Sequence, residues 1–481
     1  MKIKNNRWIT ALCLSALLLT AGGCKKYLNQ VPDDSLTRNE FFRTKADATS
    51  AIMGVYDGLQ ACADKFLSWG EFRADLISPT SNTDVTYPYY ELFDPLRPAS
   101  DWTAVYNLIG RANIVIEAVP DIPARDSRFS VEESNAIVGE ALFLRSLAYF
   151  YLVRTFKEVP LVVTAPSNDA VDYFPAKASA DSVLNKLEAD LKVAEASVPV
   201  EYAKSDETRG RVTKGAVHSL LADVYLWRAK YAEAAAAAQK VLDNKSLYTL
   251  VPGASWLSIF AQKNTSESIF EIQYNYVLSE NNSLKGNSGA FNMNNVLYDM
   301  FTGEQDLVRG ANNTYTAIGA RVFWKYRGLT TDNIERATND PNFIVYRLPD
   351  VMLLQAEALA HLGPDEKAEA VRLLNAVRER AGLPIYDNYD GNTPLGLIIE
   401  ALLKERAMEL AMEGKRWFDL VRVATNENNP DILVSRVLNS RTVGERSLIR
   451  SRIIDPRSWY LPIATTEIQR NKNLVQNPFY K

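Results

Sequence analysis

Apolar residues recur at three- and four-residue steps along two long parts of this chain, and that spacing predicts helices. The first part runs from Ala46 to about Asn244, the second from Pro349 to Val423. The clearest stretch lies between Val138 and Phe156, where Ala141, Leu142, Leu144, Arg145, Ala148, Tyr149, Leu152 and Val153 keep the step. Leu247 to Pro341 has a different character. Asn, Gly, Ser, Thr and Tyr are frequent there, Ser268 to Tyr274 reads as a short strand, and Asn281 to Asn295 reads as a long loop. Val437 to Lys481 is irregular again.

Within the helical parts the elements come in pairs. Ala216–Arg228 is followed by a Tyr-x-Glu-Ala step at Tyr231 and a helix to Leu242, and Val351–Leu362 leads through Gly363-Pro364 into Glu366–Ala381. Ala222, Ala356 and Ala358 let paired helices approach closely, while the Ala234–Ala238 run supplies helix propensity. Such pairs resemble tetratricopeptide units, each of which buries its apolar face only by stacking on neighbours. The pattern therefore predicts a mostly α fold, an α/α superhelical scaffold of helix pairs with a loop-rich, irregular half. Binding belongs on the loops, with the helices as platform.

The N-terminus changes the picture most. Lys2, Lys4 and Arg7 precede the apolar run Ile9–Thr20, and Ala21-Gly22-Gly23 leads into Cys24. A basic start, a short apolar core and small residues before a cleavage point make an export signal over residues 1–23. The apolar run falls short of the roughly 20 residues that span a bilayer. A cysteine at the first mature position marks lipid attachment at Cys24, with Ala21 where such boxes usually carry Leu. Membrane attachment then rests on lipid alone.

Composition adds exclusions. The contents of 47% hydrophobic and 23% charged residues are ordinary for a globular protein. The net charge of −4 becomes −7 once Lys2, Lys4 and Arg7 leave with the signal, which argues against a nucleic-acid partner. With Cys13 in the signal and Cys24 lipidated, Cys62 stands alone, so the exported chain must be stable by packing. The two histidines, His218 and His361, sit in helical patterns, which removes His-based triads and multi-His metal sites. No Gly-x-Ser-x-Gly elbow, phosphate loop or Cys-x-x-Cys pair occurs. The reading is of a non-enzyme without cofactor or metal, bound calcium having no support. A glycoside hydrolase is discounted because no catalytic constellation stands out, and the carboxylate separation that decides such chemistry does not follow from one sequence.

Two features carry candidate chemistry. Lys404–Arg422 spaces Glu405, Glu409 and Glu413 by four along one helical face, with Arg406, Arg416 and Asp419 nearby and Trp417 and Phe418 as anchors. Without a histidine this reads as a structural salt-bridge network, with Gly414 letting the chain close up beside Trp417. Aromatic residues gather in two non-helical places, Asp64–Tyr106 and Tyr274–Tyr326, among carboxylates and amides. Flat rings beside polar groups suit a sugar, whose C–H face covers the ring while its hydroxyls meet the polar groups. The candidate ligand residues are Trp69, Arg73, Asn82, Asp84, Tyr87, Tyr89, Tyr90, Tyr298 and Trp324. Several such rings must also pin loops to the helical body, Trp102 first among them, because it opens a helix.

These blocks, taken in order, resemble the SusD/RagB family, the starch-utilisation-system D-like proteins. The matching residues are Tyr27-Leu28 and Pro32; Trp102, Tyr106 and Ala112-Asn113; Arg145–Phe150 with Leu152-Val153-Arg154; and Arg211–Lys214. Arg347–Asp350, the Glu405–Leu420 motif, Leu461-Pro462-Ile463, Asn473-Leu474 and Gln476-Asn477 complete the resemblance. It implies one domain over 24–481, with an N-terminal part to about 245 and a C-terminal part from about 246, built on four tetratricopeptide-like pairs. It further implies a glycan-binding outer-membrane lipoprotein facing the cell surface. As the lid of a SusC-like TonB-dependent transporter it would deliver oligosaccharide into the barrel. The alternative keeps the lid and changes the cargo to peptide or another non-sugar. Lys25-Lys26 follows Cys24 in place of the acidic run often linked to surface export. The family's ligand residues lie in the same two aromatic regions but no motif fixes them.

Overall fold

A computed structural model describes residues 41–81, 83–165 and 172–481; the expected export signal over 1–23, Cys24 and Asn82 lie outside the described residues. The longer helices, numbered here in chain order, begin with α1 (Lys45–Gln60), α2 (Ala63–Glu71), α3 (Thr103–Ala118), α4 (Val131–Phe156) and α5 (Ala180–Ser197). Next come α6 (Lys214–Trp227), α7 (Tyr231–Leu242), α8 (Asn295–Glu304), α9 (Leu348–Ala360) and α10 (Pro364–Arg380). The last four are α11 (Leu395–Leu410), α12 (Arg416–Asn426), α13 (Asp431–Asn439) and α14 (Val443–Ile453).

Local chemistry sets their ends. Thr44 with Asp47 and Ser130 with Glu133 form capping boxes that start α1 and α4, satisfying backbone N–H groups which have no partner inside a helix. Pro349 and Pro364 stand in the first turns of α9 and α10, where a missing N–H costs nothing. The pairs α1/α3, α4/α5, α6/α7 and α9/α10 stack in succession, each helix packed against the next, in the tetratricopeptide-like arrangement that the periodicity predicts. Ala222, Ala356 and Ala358 are buried where these helices approach. By length and composition α4 could cross a membrane, yet 89% of its apolar stretch is buried inside the fold, as in the core helix of a globular protein.

Polar residues lock the stack. Arg145 donates to Asn113 Oδ1 (2.7 Å) and Asp190 (2.7 Å), joining α3, α4 and α5. The Asn113 amide in turn donates to the carbonyls of Val162 and Thr164. Arg154 reaches Asp223 on α6, while its guanidinium lies over the Phe150 and Phe418 rings.

Among the described residues there are three two-stranded antiparallel ribbons, β1 (Ile77–Pro79) with β5 (Phe291–Met293), β2 (Val159–Pro160) with β3 (Lys177–Ala178) between α4 and α5, and β4 (Ser268–Ile272) with β6 (Phe343–Arg347). β4 is the strand expected from Ser268–Tyr274. Other segments differ from the sequence reading. Asn281–Asn295, read as one long loop, contains a short helix at Leu284–Gly289 and β5, whose partner lies more than 200 residues earlier and leaves no local trace. α14 falls in the stretch read as irregular; it starts from a Thr442–Glu445 capping box and buries only Ile449 and Ile453, too sparse a pattern to register as periodic. One continuous apolar core runs from Phe42 to Leu474 through both halves.

At its centre is the charged motif. Glu405 accepts from Arg309 (2.6 Å) and Arg378 (3.2 Å), Glu409 from Arg309, Arg347 and Arg380, and Glu413 from Lys325 (2.8 Å) and Arg347 (2.8 Å). All are buried. Burial pushes the Glu409 carboxyl upward, but Arg380, Arg347 and Arg309 outweigh it and hold the group well below the usual carboxylate range. The partners come mainly from the irregular half, so this network fastens that half to α11. Arg406 and Arg416 serve other carboxylates, Asp350 and Asp419 for the first and Asp75 for the second.

Candidate ligand-binding face

The β1–β5 ribbon brings the two aromatic regions together. Ile77 lies opposite Met293, Ser78 opposite Asn292 and Pro79 opposite Phe291. Asn292 is bridged to Val322 on its other side, so three segments that the chain separates widely become neighbours. The ribbon runs directly into α8, whose N-cap Asn294 accepts from Leu297 N (3.1 Å) while its amide donates to Asp75 O (2.7 Å) and Ile77 O (3.3 Å). One side chain thereby starts the helix and clamps the preceding strand.

Arginines staple the Arg73–Glu91 loop to the body. Arg73 donates to Glu91 (2.6 Å) and to the Trp459 carbonyl (2.7 Å), and its guanidinium lies 3.8 Å over the Trp417 ring. Arg416 grips Asp75 through two bonds (2.7 and 2.8 Å). Arg441 donates to the carbonyls of Arg73, Ala74 and Tyr89 and covers the Tyr89 ring at 3.7 Å. With the loop held this way, the residues beyond these staples are presented on a rigid base.

The candidates divide by burial. Trp69 is buried, its indole N–H donating to Ala99 O (2.9 Å) and its ring edge-on to Phe156. Trp324 is buried with its N–H on Thr330 O (3.1 Å), and Gly328 packs so near that a Cβ there would stand 2.0 Å from the indole nitrogen. Arg73 and Tyr89 are buried as well. In this arrangement these four side chains are packing elements with no free face for a ligand. Asn82 lies outside the described residues.

Asp84, Tyr87, Tyr90 and Tyr298 reach the surface. Asp84 and Tyr87 are brought together by Arg97, which pairs with the carboxylate and lies 3.8 Å over the ring. Tyr298, half-buried on α8, is covered in the same manner by Arg321 at 4.5 Å, whose guanidinium also donates to Asn295 (2.9 Å). On the ribbon, Asn292 keeps its Oδ1 shielded from solvent without a hydrogen-bond partner among the described residues. Such a set can take a hydroxylated ring: tyrosines for its apolar face, guanidinium, carboxylate and amide groups for its hydroxyls.

Arg97, Arg321 and Asn292 were not among the sequence candidates. Arg97 sits in Pro95-Leu96-Arg97-Pro98 and Arg321 in an irregular stretch, so no periodicity marks either. A large cavity of about 1480 Å³ lies elsewhere, between α1, α3 and the Lys263–Ser283 stretch. Its tyrosines turn their hydroxyls inward, Tyr56 to Glu140 (2.6 Å) and Tyr274 to the Gln60 carbonyl, and its other lining residues are largely charged or amide. Among the described residues no group of His, Cys, Asp and Glu is arranged to hold a metal ion.

Comparison with known proteins gives consistent results. The family model described as "SusD family" matches residues 257–480, and the one described as "Starch-binding associating with outer membrane" matches residues 26–226. SusD-like protein P38 of Formosa agariphila is 28% identical, covering 88% of this chain and 92% of that protein. SusD-like protein P2 of the same organism is 26% identical over 96% and 97% of the two chains. Among solved structures, a SusD superfamily protein from Bacteroides vulgatus superposes with a TM-score of 0.74 at 22% identity, covering 91% of this chain and all of that one. A structure described as a laminarin-binding SusD-like protein gives 0.71 at 24% identity, over 91% and 100%. NanU of B. fragilis gives 0.72 at 23%, over 94% and 100%.

Proposed function

This chain belongs to the SusD family, and from that premise we propose that it captures oligosaccharide and delivers it, as a lid, to a SusC-like TonB-dependent transporter. The observation that carries the binding step is the pair of surface tyrosines each covered by an arginine, Tyr87 with Asp84 and Arg97 and Tyr298 with Arg321, in the two segments that the β1–β5 ribbon pairs and leads into. The laminarin-binding relative and the starch-binding description of the N-terminal family model support carbohydrate as the ligand class. That family model's description also supports association with the outer membrane. Attachment through lipid on Cys24, and a cell-surface orientation, complete the proposal. We read residues 24–481 as a single unit, a reading supported by the continuous core from Phe42 to Leu474.

No chemistry is required of the protein beyond binding and release. The carboxylates of the densest acidic motif are neutralised by arginines inside the core and do not reach a substrate. The test is a glycan screen of the protein beginning at Lys25, by affinity electrophoresis and calorimetry. Saturable binding of at least one polysaccharide is expected, and for the full-length chain metabolic palmitate labelling that disappears in Cys24→Ser. Binding to no glycan, with retention of peptides from a peptide pool, would move the cargo to the alternative class.

A further inference from the structure

Five arginines crowd the segment Arg441–Arg457, against Glu445 and Asp455 alone, in a chain whose net charge is −4. Both carboxylates have other work. Glu445 closes the capping box of α14, accepting from Thr442 N (2.9 Å), and Asp455 pairs with Arg457. Among the described residues Arg441, Arg446, Arg450 and Arg452 form no ion pair. Three of them serve the main chain instead. Buried Arg441 donates to Tyr89 O (3.2 Å), Arg452 to Tyr90 O (3.2 Å) and Glu91 O (2.9 Å), and Arg446 Nε to Arg441 O (3.1 Å). The bonds from Arg441 and Arg452 seat α14 against the Tyr87–Tyr90 turn, so its charge is held beside that turn. Arg446 and Arg450 are exposed, one turn apart on the helix. Like charges at that spacing destabilise a helix, so folding alone does not account for the pair.

We propose that the glycan captured beside the Tyr87–Tyr90 turn is anionic, a polysaccharide of uronic or sulfated sugars, and that Arg446 and Arg450 receive its acidic groups. A guanidinium presents parallel N–H donors that match the oxygens of a carboxylate or a sulfate, and such charge-assisted bonds are about twice as strong as neutral ones. The negative charge of the rest of the chain repels a polyanion, which leaves this stripe as the place where one is drawn in. A membrane surface fits less well. α14 and its C-cap expose Val443, Leu448 and Ile454, but Leu448 stands about 140° round the helix from Val443. With no Trp or Phe on the helix either, it has no continuous apolar stripe to lay into a bilayer. The inference rests on the carbohydrate reading and narrows its ligand class.

The test sets wild type, Arg446→Gln/Arg450→Gln and Arg450→Glu against four polysaccharides by calorimetry, at low and at high salt. Polygalacturonate carries carboxylates, carrageenan carries sulfates, and laminarin and starch are neutral; polyglutamate serves as an anion without sugar. Wild type is expected to bind one of the two acidic polymers about tenfold more tightly than either neutral one, and which of them it binds separates carboxylate from sulfate. The double variant should lose about tenfold of that affinity, and added salt should weaken it less than wild type. Arg450→Glu should lose at least as much with its melting temperature unchanged, since the Arg450 side chain has no contact among the described residues. Laminarin or starch bound as tightly as both acidic polymers overturns the inference and leaves the carbohydrate reading standing. An acidic polymer bound equally by all three proteins does the same. Polyglutamate bound as tightly as the acidic sugars also overturns it, because charge alone would then be recognised. A wild-type protein that binds none of the four polysaccharides defeats the carbohydrate reading itself, and the inference with it.

Discussion

Gly70 and Gly414 meet backbone to backbone: a Cβ built on Gly70 would stand 1.8 Å from the Gly414 carbonyl oxygen. Gly414 itself holds φ +72°, in the left-handed region that side chains rarely adopt, and packs against Phe66 O. The end of α2 and the turn into α12 therefore touch with no side chain between them. This contact sets the distance between the N-terminal helices and the acidic motif that organises the C-terminal half.

Gly70→Ala should accordingly lose at least about 2 kcal/mol of stability, since neither partner at the contact is a flexible side chain that can yield. Urea unfolding followed by circular dichroism measures it. A midpoint equal to wild type would mean that the two elements separate without cost.

Arg347 makes a sharper case. It is fully buried among Glu267 (2.7 Å), Glu413 (2.8 Å) and Glu409. Arg347→Met leaves buried carboxylates short of their partner, and a loss of about 3–5 kcal/mol is expected. Because the cluster is shielded from solvent, added salt should barely change the difference between variant and wild type. A variant whose deficit vanishes in molar salt would show that the network is open to water.

Glu71 gives the molecule a pH signature. Burial pushes its carboxyl up to about 7 from the ordinary 4.5, against the opposing pull of the Met412 N–H, Lys325 and Arg416, and its Oε2 has no partner. The folded chain thus binds this proton more tightly than the unfolded chain. Its contribution is complete below about 4.5 and is lost as pH rises through about 7, a change of about 3 kcal/mol. Glu71→Gln keeps the acceptor for Met412 N–H and removes the titration. It should match wild type near pH 4 and be the more stable form at pH 8. Parallel stability curves over that range would contradict the assignment.

Substitutions of the aromatic candidates should separate binding from folding. Trp69→Ala and Trp324→Ala empty buried, hydrogen-bonded positions and should cost about 3–5 kcal/mol. Tyr87→Ala and Tyr298→Ala act at half-exposed rings under arginines, so melting should move little while sugar affinity falls about tenfold. Calorimetry beside thermal melts checks both halves. If Trp69→Ala keeps its melting temperature and loses sugar, the division by burial is mistaken.

Residues on one helix were legible in the sequence because their partners are three or four positions away. The pairs around Ala222 and Ala356 and the acidic face of Glu405, Glu409 and Glu413 could be read this way. The Arg145 block could also be placed on a helix, although Asn113 and Asp190, which explain the arginine, come from neighbouring helices. The proposed ligand face was legible only in outline. Both aromatic regions can be marked out in the sequence, but Trp69 and Trp324 cannot be told from Tyr87 and Tyr298 by type and setting, since each stands among polar residues outside a clear period.

The sequence by itself determined the helical scaffold, the two aromatic regions from which the proposed face is drawn, and the structural character of the acidic motif, all of which are read from the order of residues along the chain. Only the tertiary structure decided which bases answer those carboxylates. Arg309, Arg347, Arg378, Arg380 and Lys325 do so, where the sequence offered Arg406 and Arg416. It likewise decided which rings are buried and that Ser78 faces Asn292. The physical reason is the same in each case. A local period is fixed by the geometry of one helix, whereas burial and long-range pairing depend on which distant surface packs alongside, and a single chain written in order does not carry that distance.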